Sequence, residues 1–304
     1  MNILGKRYIL FGVSLLIIIP GLILLFAGKV PMSVDFTGGS LLEVAFTNKT
    51  PQPSDIIAVY EENKVSDTQV QTTENGSFVI RSQFLENDQR DSLLAALNDK
   101  IGEVTVIRFD SVGPSIGEQV TSRGALAVTV SSILVVLFIA WSFRGIKNAF
   151  RYGICAILAM IHDVAIIFSV TAFGSLLFGW EINSLFLTAL LTVIGFSMQD
   201  TIVVFDRIRE NSNIYRRLDF ETLVNHSIVQ TLQRSINTQL MTVEFLLLAL
   251  AMFGGVTLRE FASILLIGLL SGTYSSIFIA APILVLWENR EWQNWFRKPK
   301  QSQA

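Results

Sequence analysis

The chain has one cysteine, Cys155, and two histidines, His162 and His226. A lone cysteine excludes an internal disulfide and leaves no thiolate-rich metal site. The two histidines lie on different segments and no H-E-x-x-H occurs, so no metal ligands are assigned. No G-x-x-x-x-G-K-[ST] loop is present, which removes the usual P-loop route to ATP. Charge is scarce as well: 16% of residues are Asp, Glu, Lys or Arg, where soluble domains carry about 25%. A formal net charge of −2 is no footprint for nucleic acid, and none is expected as a partner. These gaps leave no enzymatic chemistry to assign and no cofactor. Any energy the protein uses has to come from elsewhere, and a transmembrane proton gradient suits buried carboxylates.

What the chain does have is apolar sequence, 51% of residues, gathered in runs close to the ~20 residues that cross a ~30 Å hydrocarbon core. Six spans are predicted, at 8–28, 124–143, 152–175, 183–205, 235–254 and 261–286. The first follows Lys6 and Arg7. It is longer than a signal-peptide core and no clear A-x-A site follows, so it reads as a retained span. Lys6, Arg7, Arg144, Lys147, Arg151, Arg207, Arg209, Arg216, Arg217, Arg234, Arg290, Arg297, Lys298 and Lys300 all fall on one side, and the opposite short loops carry only Arg259. The positive-inside rule then puts both termini and the 206–234 connection in the cytoplasm, and residues 29–123 outside a bacterial inner membrane. The expectation is a polytopic α-helical membrane protein in the lipid bilayer, ending in a tail at 287–304.

The outer stretch, 29–123, has its own pattern. A strand at 40–46 precedes a helix from Pro53 to Asn63. Two strands, 68–73 and 77–82, flank an Asn75-Gly76 turn. A helix near 88–101 carries Leu93, Leu94 and Leu97 on one face, and a last strand covers 104–109. The order β-α-β-β-α-β predicts a small ferredoxin-like α+β sandwich. With 14 acidic residues against 8 basic, this domain is unsuited to anionic lipid or nucleic acid.

Ionisable residues inside the spans are the functional candidates, because a central Asp or Arg costs roughly 3 kcal/mol in hydrocarbon. They are His162 and Asp163 in span 3, Asp200 in span 4, Arg234 at the start of span 5 and Glu244 within it. Asp200 and Arg234 fall at similar depth near the cytoplasmic end. They read either as a loading carboxylate beside a fixed counter-charge or as a static ion pair. The His162–Asp163 pair either extends a proton path or consists of an Asp accepting hydrogen bonds from Ser or Thr of span 4. Glu244 is equally open, as a relay member or a neutral, hydrogen-bonded side chain. Gly268, Gly272 and Ser276 in span 6 form a small-residue packing seam, with a similar stripe of Thr188, Thr192 and Gly195 in span 4. Trp287, Trp292 and Trp295 suit a headgroup interface.

Three segments are more specific: V-D-F-T-G-G-S at 34–40, V-G-P-S-I-G-E-Q at 112–119, and I-G-F-S-M-Q-D-T-I-V-V-F-D-R-I-R-E-N at 194–211. Together with the span pattern and the single large outer loop, they resemble the SecF branch of the SecD/SecF protein-export family, part of the resistance-nodulation-division (RND) superfamily. The resemblance implies a subunit that pairs with SecD, often with YajC, and works with the SecYEG channel and the SecA motor. Such a subunit uses the proton-motive force to draw an exported polypeptide outward. It places the proton-relay aspartate on Asp200, its arginine on Arg234 in Q-T-L-Q-R, and the H-D pair on His162 and Asp163. The family usually shows Tyr and Asn where this chain has Phe196 and Gln199, and Glu244 also departs from its pattern. Gln199 keeps an amide beside Asp200. In the motif Asp35, Phe36, Thr37, Gly38 and Gly39, the glycines read as a tight turn braced by Asp35, or as a hinge. Two other classes compete: an RND-type small-molecule efflux half-transporter, and a scaffold without transport.

Overall fold

A computed structural model describes residues 3–47, 51–73, 76–144, 149–239 and 245–291. The chain opens with a short 3₁₀ turn (Leu4–Lys6) that runs into the apolar helix α1 (Arg7–Phe26). Two compact units follow from the fold, Met32–Ala127 on one hand and Met1–Pro31 with Val128–Ala304 on the other.

The smaller unit consists of α2 (Val34–Thr37), β1 (Gly39–Phe46), α3 (Pro53–Glu62), β2 (Gln69–Thr72), β3 (Phe78–Ser82), α4 (Asn87–Lys100) and β4 (Val104–Val112), followed by the first turns of α5 (Pro114–Ser142). The strands form one antiparallel sheet in the order β2-β3-β1-β4, with Leu42 opposite both Ile80 and Phe109. Alternation decides which side chains go inward: Leu42 and Val44 of β1 and Phe78 and Ile80 of β3 share one face. That face buries Ile56 and Tyr60 of α3 and Leu93 and Leu97 of α4. Leu94 is only partly buried at the core margin. Both helices start on a capping box, Gln52 N–H to Asp55 Oδ2 at 3.0 Å and Glu86 N–H to Gln89 Oε1 at 3.1 Å. Asn75 lies outside the described residues, and its neighbour Gly76 has φ +77°.

The two motifs of this unit meet. Ser33 Oγ caps α2 by accepting the Asp35 N–H at 3.2 Å. Phe36 is buried, and its carbonyl accepts from Thr121 Oγ1 at 3.0 Å. Thr37 donates back to the Ser33 carbonyl at 3.2 Å. Gly38 and Gly39 then take φ +70° and +107°, a region that residues with a Cβ avoid. A Cβ on Gly39 would lie 2.6 Å from the Ser82 carbonyl oxygen, and one on Gly117 would lie 2.7 Å from the Gly38 nitrogen. The glycines are therefore demanded by backbone approach.

The described residues beyond α5 are mainly helical: α6 (Ala149–Phe178), α7 (Ser184–Ile214), α8 (Phe220–Gln239), α9 (Phe245–Phe253), α10 (Val256–Ser275), a π turn (Ser276–Ala280) and α11 (Ala281–Glu288). Among the described residues, five segments are long and apolar enough to cross a membrane: Leu4–Phe26, Pro114–Ser142, Ala149–Phe178, Ser184–Ile214 and Thr257–Glu288. The expected span at 235–254 is divided between the end of α8 and α9. Residues 240–244, Glu244 among them, lie outside the described residues, as do Trp292 and Trp295.

The 206–234 connection is helix over most of its length, leaving only 215–219 between α7 and α8. A 31-residue helix is about 46 Å long at ~1.5 Å per residue, more than the hydrocarbon core spans. Its polar end is supported by the spaced pairs Asp206–Arg209 and Arg207–Glu210, both at 2.6 Å. Asp219 Oδ2 then accepts the Thr222 N–H at 2.9 Å and starts α8.

Small residues set how closely the helices pack. A Cβ on Gly21 of α1 would lie 2.2 Å from Ser169 Cβ of α6. One on Gly268 of α10 would lie 2.5 Å from Val193 Cγ2 of α7, and one on Gly272 would lie 3.1 Å from Ser197 Cβ. The α7 stripe behaves differently. Thr188 and Thr192 donate to carbonyls of their own helix, and a Cβ at Gly195 would meet nothing within 4 Å.

Gly39→Ala is expected to destabilise the protein by roughly 1–3 kcal/mol, because the new Cβ adds backbone strain at a positive φ. Thermal unfolding of the full chain in detergent measures it, and an unchanged midpoint would show that the turn relaxes freely.

Candidate functional site

Four helices, α6, α7, α8 and α10, meet at two buried carboxyl groups. Asp163 of α6 is 1% exposed and Asp200 of α7 is 9% exposed. Asp163 Oδ2 accepts from Ser275 Oγ at 2.5 Å and also from Ser197 Oγ, while Oδ1 accepts from Ser271 Oγ at 2.9 Å. Asp200 accepts from Ser235 Oγ of α8 at 2.7 Å and from Ser276 Oγ at 2.9 Å. Local spacing makes the arrangement. Ser197 and Asp200 are three apart on α7, and Ser271 and Ser275 are four apart on α10, so each pair shares a helix face. Ser275 and Ser276 are consecutive, one bonding to each carboxyl group.

The π turn begins at Ser276. Pro282 has no N–H to offer the carbonyl of Phe278, and its ring crowds that carbonyl. The widened turn at 276–280 accommodates the ring, and such turns recur at functional sites.

His162 Nδ1 lies 3.1 Å from Asp163 Oδ1. With Nδ1–H donating to the carboxylate, Nε2 carries the lone pair, and it has no partner among the described residues. The imidazole stacks on Tyr274 at 6.1 Å. Tyr274 in turn donates to the Leu10 carbonyl at 2.9 Å and accepts from Ser14 at 3.3 Å, tying α1 to the site.

Arg234 is exposed, and no ion pair joins it to Asp200 among the described residues. It lines a cleft of about 720 Å³ that also includes Trp141, Arg144, Arg207 and Gln230. The static-ion-pair reading of Asp200 therefore gives way to a hydroxyl-bonded carboxyl. Gln199 is exposed and makes none of these contacts, and neighbouring Phe196 is also exposed. Residues Asp35 to Gly39 belong to the smaller unit.

The sequence points to the acids and to a span-4 hydroxyl on Asp163, which Ser197 supplies. Its motifs give no sign of Ser235, Ser271 or Ser275, and Ser276 enters it only as part of the packing seam. The available signal was the four-residue serine spacing in span 6 beside a glycine seam. Chemically, serine hydroxyls suit a carboxyl group that changes protonation. Each hydroxyl can donate to a carboxylate or rotate to accept from a carboxylic acid, whereas an arginine serves only the carboxylate.

A bundle with several membrane-length helices and a buried, hydroxyl-bonded pair of carboxyl groups defines a polytopic membrane protein with an ionisable site inside the bundle. Residues 93–290 match the model for the C-terminal part of the protein-export membrane proteins SecD and SecF. A protein translocase subunit SecF from Anaerolinea thermophila is 60% identical over 300 residues, covering 98% of this chain and 97% of that one. SecF of Synechocystis is 36% identical over 89% of this chain and 86% of its own. The crystal structure of SecDF from Thermus thermophilus, 33% identical, superposes with a TM-score of 0.79 over 95% of this chain and 39% of that longer one. The chain belongs to the SecD/SecF family.

Asp163→Ala would strand three serine hydroxyls and is expected to cost roughly 2 kcal/mol. Asp163→Asn, which keeps one acceptor oxygen, should cost less. Unfolding midpoints in detergent compare them, and equal midpoints for wild type and Asp163→Ala would show that the serines re-pair without the carboxyl.

Proposed function

We propose that this chain is an accessory subunit of the Sec protein translocase. In this reading it pairs with SecD, works beside SecYEG and SecA and in some assemblies YajC, and couples a proton gradient to late movement of the exported polypeptide. The role in export is supported by relatives named translocase subunit SecF along nearly the whole chain. The SecD partner is supported by the relative named SecDF, of which this chain matches 39%. The same names disfavour the efflux half-transporter.

The observation that carries proton coupling is the pair Asp163 and Asp200, buried with hydroxyl and imidazole partners and, among the described residues, no arginine or lysine bonded to either. Asp200 is the loading group. On taking up a proton its new O–H is donated to Ser235 or Ser276, whose own hydroxyl rotates away. Arg234 is a fixed cation that favours the ionised form when α8 brings it nearer. Asp163 and His162 extend the path inward from Asp200 through consecutive Ser275 and Ser276.

The topology of this reading has six spans in the inner membrane, cytoplasmic termini and an outer domain of ferredoxin-like type. The sheet order β2-β3-β1-β4 supports the domain type. Contacts sort the helix ends into two groups. Arg7 pairs with Glu221 and Glu291 at 2.8 Å, and Arg151 pairs with Glu288. At the opposite end the Ile182 N–H reaches the Pro31 carbonyl at 3.0 Å, and Ser175 reaches the Lys29 carbonyl at 3.2 Å. The first group is the one rich in Lys and Arg, which supports its cytoplasmic placement.

Asp200→Asn is expected to leave the protein folded and membrane-inserted while abolishing proton-dependent support of secretion. Export of a reporter protein from cells or inverted vesicles, with and without the gradient, measures this. Wild-type export by the variant would defeat the relay assignment and leave family membership intact.

A further inference from the structure

The cleft beside Arg234 holds more positive charge than its own acids answer. Arg207 pairs with Glu210 and Arg209 with Asp206, each at 2.6 Å. Arg144 and Arg234 line the same cleft and have no carboxylate partner among the described residues. Arg144 instead lies over the Trp141 ring, 5.2 Å from its centroid. The remaining lining mixes apolar Phe143, Ile202 and Val203 with polar Ser142, Gln230 and Thr231.

We propose that this cleft binds the headgroup of an anionic phospholipid from the surrounding bilayer. The cleft offers spare positive charge beside a mixed polar and apolar lining. Two guanidinium groups with spare donors suit phosphate oxygens. The apolar part of the lining suits the first carbons of an acyl chain, and the tryptophan at the end of a span suits the headgroup level. Basic pockets between membrane helices are a known setting for such headgroups. The volume, about 720 Å³, is far larger than inorganic phosphate needs and falls in the range of organic-ligand sites. The smaller unit, with its acidic excess, plays no part. Occupancy would place a phosphate against Arg234, the cation assigned to Asp200, but the site itself stands on the cleft and not on the export reading.

The test is native mass spectrometry of the full-length protein in detergent, titrated with phosphatidylglycerol and, separately, phosphatidylcholine. The protein is expected to retain phosphatidylglycerol in preference. Arg144→Ala should weaken that retention about fivefold, and Arg144→Lys should keep most of it. Arg216→Ala, which removes an exposed arginine outside the cleft lining, should change nothing. Unfolding midpoints taken alongside separate a lost site from a lost fold. Equal retention of both lipids, wild-type retention by Arg144→Ala, or displacement of the lipid by inorganic phosphate alone would overturn the proposal.

Discussion

A carboxyl group inside a hydrocarbon-embedded bundle must find hydrogen-bond donors, because no water is there to supply them. Here the donors are serines, and much of the helix packing follows from that choice. A serine hydroxyl is short, so helices that serve Asp163 and Asp200 have to approach closely. Gly268 and Gly272 on α10 allow that approach to α7, and they bracket Ser271 and precede Ser275. Replacing hydroxyls by one arginine would have satisfied the charge with a longer reach and a looser bundle. It would also have bound the site to a single protonation state, since a guanidinium cannot accept a proton back.

The π turn belongs to the same arrangement. It sets Ser276 on Asp200 while Ser275 remains on Asp163, so one point on the last membrane helix contacts both acids. Movement of that helix is thereby tied to both carboxyl environments. His162, stacked on Tyr274 and through it joined to α1, gives the first helix a connection to the same centre. Charge outside the bundle is arranged on another principle. Arg7, Arg151, Arg207 and Arg209 pair with acids three residues away or on a neighbouring segment, while Arg144 and Arg234 line an open cleft.

The smaller unit obeys a backbone constraint. Its two motif segments meet through glycines with positive φ or with no room for a Cβ. The motif near Gly38 is thus a statement about chain geometry, and Ser33 supplies the cap. Its core is an ordinary two-layer packing of one sheet face on two helices.

The sequence alone determined the class of protein, the ionisable residues worth attention, and the order of strands and helices in the smaller unit. Each of those depends on composition, run length or short-range period, which the linear chain carries openly. Family membership was equally legible, because the motif around Asp200 is contiguous. What the tertiary structure decided was which groups touch. Ser235 and Ser276 meet Asp200 across 35 and 76 residues of chain, and Ser271 and Ser275 meet Asp163 across 108 and 112. No local pattern encodes such pairings, since they arise only when small residues let separate helices come within hydroxyl reach. For the same reason Arg234, four residues beyond Gln230 on one helix and apt on paper to pair with Asp200, was placed by packing at the cleft.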